Sequence, residues 1–421
     1  MLDSLKMFHS LGLHDGEIFS LEGTRTVYEY SQKILKTKTF GIDTGFGIRV
    51  LKNKKLGFSF CNSKEQIPAA IKRAISISSF SDSSPFSFAQ RQKYRPAEAF
   101  DRKIADADEK EMLSIVGQIE DGVKKHAEPV RIVLVSQREE SALANTSLLF
   151  AKERSTSLMA FAEAKNGNGF GSSDYAHYKA LKDPYALGEK AGLMAKEMKN
   201  PKKLPAGKYS VIFSQETLSS LLSLLLYSFS GELKRRKISK LWNQEGERLF
   251  HEKFTLFDDP FADAAAKSAF DGEGVSSRRT VLIDKGNVNN FLYTRECAAF
   301  SGINAEGNCA RAGYSLPPSI GDSNTVIEAG DAEPRKELGK YLFIESMHGL
   351  HTANQLSGDF GAEASIAFLH EKGKILPVRG FMVSENIFKL FNRIEYIGKK
   401  QEQSGNLVAP SIAFSDVSII S

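Results

Sequence analysis

The chain has 421 residues, of which 41% are hydrophobic and 25% are charged, a composition typical of a globular protein with more than one core. Its 56 basic and 51 acidic residues leave a net charge of +5, too small an excess to indicate a nucleic-acid-binding domain. The longest apolar run, Leu218–Phe229, is interrupted by serines and is far shorter than the ~20 residues that cross a bilayer. The N-terminus lacks the apolar segment of a signal peptide, and the three cysteines argue against a disulfide framework, so we expect a cytoplasmic protein with no membrane contact.

The first 200 residues alternate between strand and helix patterns. A short helix at Leu2–Leu11 precedes strands at Gly16–Glu29 and Ser31–Thr39, and Gly41–Phe60 has the pattern of a hairpin with a polar turn at Asn53–Lys55. The remaining elements predicted here are helices at Glu65–Ser79, Glu109–His126 and Asp183–Lys199, strands at Val130–Ser136, Ser147–Lys152 and Ser155–Lys165, a turn at Asn166–Ser173 and a long loop at Ser76–Pro96. We therefore predict an N-terminal α/β domain, a sheet with flanking helices, over residues 1–200.

A stretch rich in proline and lysine, PKKLPAGK at Pro201–Lys208, has the composition of a linker. Beyond it, a strand at Tyr209–Phe213 leads into a helix at Gln215–Ser230, and the rest is mainly strands with one further helix at Glu385–Asn392. The predicted strands are Arg279–Ile283, Val288–Tyr293, Tyr341–Ser346, Ala362–His370, Lys374–Arg379 and Pro410–Ile420. The patterns predict a β-rich C-terminal domain at 209–421 and an α+β fold overall.

Short motifs for catalysis or phosphate binding are weak in this sequence. The glycine-rich stretches at 45–47 and 167–171 lack the full phosphate-loop spacing, and hairpin turns explain both. Close backbone approach is the other interpretation of Gly45 and Gly47. No G-x-S-x-G elbow is present, and neither His-Glu pair is followed by a second histidine four or five residues later. His348 and His351 lie three residues apart near glycines, where a structural role is the favoured interpretation.

An ordered series of segments along nearly the whole chain resembles the TldD/PmbA family, also called TldD/TldE and once described as modulators of DNA gyrase. DTGFGIRVLKNKKLGFSF resembles the family's first-domain hairpin, and FAEAKNGNGFGSSDYA resembles its mid-chain strand and turn. FDGEGVSSRRTVLIDKGNVNNFLYT (Phe270–Thr294) resembles its D-x-E-G-x-x-x-x-R segment, and SGDF with the later P-V-R-G follows its C-terminal block.

The family has two branches, and the helix at Gln215–Ser230 distinguishes them. The resemblance implies that TldD-type chains bind zinc through H-E-x-x-x-H and a later cysteine, whereas TldE (PmbA)-type chains lack that set. Alignment on Gly231-Glu232 puts Leu222, Ser223 and Tyr227 at the three motif positions, and the late cysteine falls near Gly398–Asn406, which contains no cysteine. Leucine has no lone pair, serine is a poor base and tyrosine is an uncommon zinc ligand. The periodicity agrees, because a leucine stripe predicts a packed helix face; it comprises Leu218, Leu221, Leu222, Leu225 and Phe229.

The resemblance therefore implies a TldE-like subunit with no catalytic residue, metal or cofactor of its own. It implies assembly with a zinc-bearing, TldD-like catalytic subunit into a ring-like or cylindrical peptidase that acts on small unfolded peptides. Assembly of two copies into a homodimer is an open alternative when the chain is alone, and the sequence does not decide it. From the SGDF match, we expect Ser357, Gly358 and Asp359 near the peptide cleft, with His348 and His351 beside it.

Two alternatives from other classes stay open on the sequence alone. One is an autonomous hydrolase with a metal centre formed by Cys297, Cys309, His348 and His351, although the eleven-residue gap between the cysteines matches no zinc-finger spacing. The other is a regulatory binding protein acting on a nucleic-acid enzyme, which the older family description suggests. The modest net charge argues against direct binding of nucleic acid by this chain.

Overall fold

The computed structural model describes residues 2–31, 34–305 and 307–421. Within these ranges the α-helices are α1 (Leu2–Ser10), α2 (Ile67–Ser78), α3 (Arg102–Ala105), α4 (Glu109–Lys124), α5 (Pro184–Glu197), α6 (Gln215–Tyr227), α7 (Gly231–Arg235), α8 (Arg295–Phe300), α9 (Pro334–Glu337) and α10 (Ile387–Asn392). The strands are β1 (Asp15–Ser31), β2 (Ile34–Lys52), β3 (Lys55–Cys61), β4 (Glu128–Asn145), β5 (Phe150–Asn166), β6 (Gly169–His177), β7 (Lys202–Lys203), β8 (Gly207–Phe213), β9 (Leu256–Asp258), β10 (Thr280–Asp284), β11 (Asn287–Val288), β12 (Cys309–Ala310), β13 (Ser319–Ile320), β14 (Thr325–Ile327), β15 (Lys340–His348), β16 (Asp359–Glu371), β17 (Lys374–Arg379), β18 (Met382–Asn386), β19 (Ile394–Ser404) and β20 (Leu407–Ile420). None of the described helices is long and apolar enough to cross a lipid bilayer.

The N-terminal half forms an antiparallel sheet in the order β3-β2-β1-β4-β5-β6. Helices α4 and α5 pack against it, and Met112, Val116 and Ile119 of α4 share one core with Ile132 and Leu158 of the sheet. Helix α4 begins at a capping box, in which the Asp108 carboxylate accepts from the Glu111 N–H at 2.8 Å. The predicted sheet with flanking helices is therefore confirmed.

The β2–β3 hairpin turns at Asn53 and Lys54, both with positive φ (52° and 62°), as the polar NKK turn predicts. The glycines at 45 and 47 do not form a turn, because β2 continues through both of them. The hairpin-turn interpretation is wrong here, and the alternative of close backbone approach is confirmed. Tyr314 packs on this part of the strand, and a Cβ atom at Gly45 would lie 2.3 Å from its ring. Glycine is thus required for close approach between the strand and a loop of the C-terminal half.

The second sheet contains strands β7 to β11 and β14 to β20. It is a mixed sheet, in which β8 is parallel to β15 and β14 is parallel to β20. Its largest core includes helices α6 and α10. An α+β fold, with a mainly β C-terminal part, is confirmed. Within the stretch predicted as a linker, β7 pairs with β17 and Leu204 is buried; the domain boundary at 201–208 stays a prediction.

Several predicted elements differ from the structure. The predicted strand Val288–Tyr293 is mostly wrong, because only Asn287–Val288 pairs with β10, and the chain then leaves the sheet so that the Leu292 N–H donates to the Phe229 carbonyl at 2.8 Å. The predicted strands at Ser147–Lys152 and Ser155–Lys165 are one continuous strand, β5. Helix Glu385–Asn392 is not the single further helix, since α7, α8 and α9 also form, and β18 and β19 were not predicted. Gln32 and Lys33 of the predicted strand Ser31–Thr39 lie outside the described residues.

Candidate functional site

Helix α6 lies at the centre of the C-terminal core. Ser214 caps its first turn, since the hydroxyl accepts from the Thr217 N–H at 3.2 Å and donates to the Glu345 carbonyl at 2.7 Å. The predicted leucine stripe is confirmed, because each of its members is at most 1% exposed: Leu218, Leu221, Leu222, Leu225 and Phe229. These side chains fix the helix against the sheet by burial of apolar surface.

A cavity of about 360 Å³ borders the C-terminal half of this helix. We call it the α6 cavity. Leu222, Ser223 and Tyr227, the three positions aligned with the zinc motif, all line it, and so does Asn406 from the segment aligned with the late cysteine. The structure thus brings together the two segments that the alignment connects. Leu222 and Tyr227 both line this space, although residues five apart on an ideal helix point about 140° away from each other; Tyr227 is the last residue of α6.

The polar groups of the α6 cavity are oxygen and amide groups. The Asp322 carboxylate accepts from the Thr325 hydroxyl at 3.3 Å and from the Asn406 amide at 3.4 Å, and burial raises its pKa. The Ser223 hydroxyl donates to the Ser220 carbonyl at 2.7 Å and is thereby used within the helix. Zinc sites are built from histidine, cysteine and carboxylate ligands. One buried carboxyl among hydroxyls, an amide and leucines does not fit a zinc ion.

A groove of about 570 Å³ continues from the α6 cavity toward the N-terminal sheet, and we call it the β1–β4 groove. Gly321 and Asp322 line both spaces, and the far wall of the groove is formed by Phe19 of β1 and Glu139 of β4. Burial also raises the pKa of Glu139. The two halves of the molecule therefore enclose one extended depression that ends beside α6.

A buried ionic cluster lies behind this groove. Arg49 of β2 donates through Nε and Nη2 to the two carboxylate oxygens of Glu17 (2.9 Å each) and through Nη1 to Glu273 (2.6 Å). Arg311 pairs with the same Glu17. Glu273 belongs to the D-x-E-G segment recognised in the sequence, so this segment joins the C-terminal half to the N-terminal sheet.

Asp271, Glu273 and Cys309 form the group of potential metal ligands whose donor atoms cluster among the described residues. Their donor atoms are already used or protonated. The Asp271 carboxylate accepts from three backbone N–H groups, those of Glu273, Val275 and Cys309, and burial raises the pKa of the Cys309 thiol. The arrangement is an internal hydrogen-bond network that positions a loop, which explains the spacing of the D-x-E-G segment.

The SGDF residues form a tight surface loop rather than part of the α6 cavity. The Ser357 hydroxyl and the Asn386 amide each donate to the Asp359 carboxylate at 2.7 Å, and these two contacts lower its pKa. Gly358 has a φ of +78°, and a Cβ atom there would meet Phe388 at 2.7 Å. His348, at the end of β15, and His351, in a short 3-10 turn, are exposed. None of these predicted cleft residues lines the α6 cavity or the β1–β4 groove, and their role near the peptide stays a prediction.

The four residues of the alternative metal centre are differently placed. Cys297 and Cys309 are buried, whereas His348 and His351 are exposed. Cys309 lies beside Asp271 and Glu273, and no group of three ligands that includes either histidine clusters within the described ranges. Sequence analysis did not identify Asp322 or Arg49 as candidate site residues. The signals available were the Gly-Asp dipeptide before a short strand, for Asp322, and a single arginine within an apolar strand, for Arg49.

Comparison with known proteins agrees with this architecture. Residues 206–421 match the model of the PmbA/TldA metallopeptidase C-terminal domain, and residues 16–78 match PmbA/TldA metallopeptidase domain 1. An uncharacterized protein of Methanocaldococcus jannaschii is 28% identical over 89% of each chain, and a metalloprotease of Methanothermobacter thermautotrophicus is 24% identical over 89% of this chain and 86% of its own. The fold is shared with TldE from Thermococcus kodakarensis, at a TM-score of 0.91 and 22% identity with both chains fully covered. The chain belongs to the PmbA/TldD family of metallopeptidases.

Proposed function

We propose that this chain is the TldE-like, non-catalytic subunit of a cytoplasmic metallopeptidase complex that cleaves small unfolded peptides. A TldD-like partner would hold the zinc ion and the catalytic residues. This chain would complete the wall of the chamber and offer strand edges along which an extended peptide can lie.

The observation that carries the proposal is the lining of the α6 cavity. Three motif positions on α6 and one residue of the late segment meet in one space, and they are Leu222, Ser223, Tyr227 and Asn406. At these aligned positions the side chains supply apolar packing, hydroxyls and an amide in place of zinc ligands. The relatives named metalloproteases are compatible with either branch, so the lining of this cavity is the basis of the choice.

The proposal is tested by reconstitution. We expect the purified chain to contain well under one zinc ion per molecule and to leave an unstructured peptide uncut. Addition of a TldD-type chain from the same genome, carrying H-E-x-x-x-H and the late cysteine, should give a stable complex that cleaves the peptide faster than the partner alone. About one zinc per chain together with hydrolysis by this chain alone would overturn the proposal.

A further inference from the structure

A second cavity, of about 500 Å³, separates helix α5 from the first turn of α6. We call it the α5 cavity. It is lined on one side by residues of α5 and β6 and on the other by residues of β8, α6 and the second sheet, and it shares no lining residue with the α6 cavity. Neither the proposed subunit role nor the family's metal motif makes use of it.

Carboxylates dominate the charged lining of the α5 cavity. Asp174, Glu216 and Glu345 converge from three different elements. Lys190 neutralises one of them, since its Nζ lies 3.0 Å from Glu345 Oε1, and the Glu345 side chain is only 9% exposed. Burial, and then the adjoining carboxylate of Asp174, raise the pKa of Glu216 to about 7. Asp174 and Glu216 share a side-chain hydrogen bond, and the charge of Lys190 acts on both of them. Within the described ranges, however, the ion pair of Lys190 is with Glu345, and neither of the other two acids has one.

Two hydrogen-bonding atoms in the lining are unused. The Gln215 side-chain oxygen and the Ser411 hydroxyl oxygen are both buried and have no hydrogen-bond partner among the described residues. The Gln215 amide nitrogen donates to the Ala409 carbonyl at 3.1 Å, which fixes the amide and leaves its oxygen as an acceptor. A buried acceptor without a donor is costly, so a ligand that brings N–H groups would satisfy it.

The lining also has a large apolar part, beside further polar and charged residues such as Arg335, His370 and Glu402. It includes the rings of Phe213, Phe343 and Phe368 together with Leu193 and Ile375, both of which are exposed although they are large hydrophobic residues (39% and 56%). Apolar side chains beside a cluster of acids suit an organic cation better than a metal ion. A tight metal site would bring at least three ligand atoms within 4.8 Å of one another, and in the described chain the acids of the α5 cavity do not do so.

We propose that the α5 cavity binds a primary ammonium group attached to an apolar body, with the ammonium at Asp174, Glu216 and Gln215 and the body against the phenylalanine rings. A free amine and the N-terminus of a peptide with an apolar first residue share this chemistry. The ammonium would donate to the carboxylates and to the unused amide oxygen, and the apolar body would cover Leu193 and Ile375.

Isothermal titration of the full-length chain with phenethylamine tests the proposal. We expect saturable binding that is lost with N-acetylphenethylamine, which keeps the apolar body and has no charge. Glu216→Gln should weaken binding roughly tenfold or more because it removes one carboxylate from the site, and Asp174→Asn should do the same. Glu247→Gln, at an exposed position that lines neither cavity, is the matched control and should bind as the unchanged chain does.

A second pair of ligands identifies the source of the ammonium. If the natural ligand is a peptide N-terminus, phenylalanyl-glycinamide should compete with phenethylamine, and its N-acetylated form should not. If phenethylamine binds but the dipeptide does not compete with it, the site is assigned to free amines. Three outcomes would each overturn the proposal. They are no saturable binding of phenethylamine, equal binding of the acetylated compound, and undiminished binding by a folded Glu216→Gln variant. None of these outcomes depends on zinc or on the partner subunit, so they are separate from the test of the proposed function.

Discussion

The Nη1 atom of Arg49 lies 2.6 Å from Glu273 Oε1, and these two residues, 224 positions apart in the chain, join the N-terminal sheet to the loop at 271–274 that lines the β1–β4 groove. Both side chains are almost fully buried, at 3% and 1% exposure. The rings of Phe86 and Phe88 lie about 5 Å from the guanidinium, at 5.1 and 5.4 Å, and shield it from water. The contact between the two halves of the molecule therefore includes one arginine that is enclosed by carboxylates and aromatic rings.

Replacement of this arginine should be strongly destabilising. Arg49→Leu leaves Glu273 buried without its cation, and loss of one partner from a buried pair costs about 3–5 kcal/mol. The free energy of unfolding from urea denaturation measures this loss. Arg131→Leu is the matched control, because its pair with Glu29 is exposed (46% and 35%) and should contribute less than about 1 kcal/mol. A loss below about 1 kcal/mol in Arg49→Leu would show that the cluster does not hold the two halves together.

The acid beside Glu273 should make stability depend on pH. Burial, and then the charge of Glu273, raise the pKa of Asp271 to about 7, against about 4 in an unfolded chain. The folded state thus binds the proton more tightly, and the resulting stabilisation is complete below about pH 4 and is lost as the pH rises through 7. Relative to Asp271→Asn, the unchanged chain should lose unfolding free energy between pH 5 and 7, by on the order of 1 kcal/mol per pH unit.

Thermal and urea unfolding at several pH values, with both chains in the same buffers, measure that difference. Asp121→Asn on the exposed side of α4 controls for substitution of a surface aspartate. The asparagine also loses one hydrogen bond, because its amide cannot accept from both sides, but that cost does not vary with pH. A difference that is constant from pH 5 to 8 would mean that Asp271 stays ionised in the folded protein.

The parts of the fold that were predicted from the sequence depend on local patterns. The helix predicted at Glu109–His126 and the NKK turn are each specified within a few residues, and both form as predicted. The capping box at Asp108 and Glu111 is local in the same way, although it was not among the predicted features. The leucine stripe of α6 is also local, which is why its burial could be predicted before any contact was known.

The parts that were not predicted depend on contacts between distant segments. Gly45 was interpreted as a turn because nothing nearby in the sequence marks Tyr314 as the ring that covers it. Nothing in a single sequence indicates that Arg49 and Glu273 are paired in the fold. The first half of β2, residues 34–44, is exposed on both faces, and its sequence therefore shows little alternation of apolar and polar residues. In the candidate site, the alignment predicted that Leu222 and Tyr227 occupy the metal-ligand positions, whereas Asp322 is brought to the same cavity by the fold.

The SGDF loop provides a test of the predicted cleft. Asp359→Ala removes a carboxylate that accepts two side-chain hydrogen bonds in an exposed loop, so the loss of stability should stay near 1 kcal/mol. If Asp359 contacts the peptide, kcat/KM for peptide cleavage by the reconstituted complex should fall roughly tenfold, the effect of one charge-assisted hydrogen bond. Asp331→Ala, at another exposed position, is the control. Cleavage that is unchanged in an intact complex would remove Asp359 from the cleft.

Restoring the ligand set tests the alignment of α6 directly. The variant Leu222→His/Ser223→Glu/Tyr227→His/Asn406→Cys places two imidazoles, a base and a thiolate around the α6 cavity, all at positions that already line it. Asn406 is chosen because it is the residue of the predicted late segment that lines this cavity. We expect the variant to bind about one zinc ion per chain and the unchanged chain to bind much less, as measured by metal analysis after dialysis.

The matched control keeps the three changes on α6 and leaves Asn406 in place. It should bind zinc at least tenfold more weakly, since zinc sites with three protein ligands lose affinity when one ligand is absent. Leu222 is buried, so circular dichroism must first show that the variants keep the fold, because Leu222→His alone costs packing free energy. A folded four-site variant that binds no more zinc than the unchanged chain would mean that these positions do not correspond to the family's metal ligands, and the assignment of the chain to the non-catalytic branch would lose its basis.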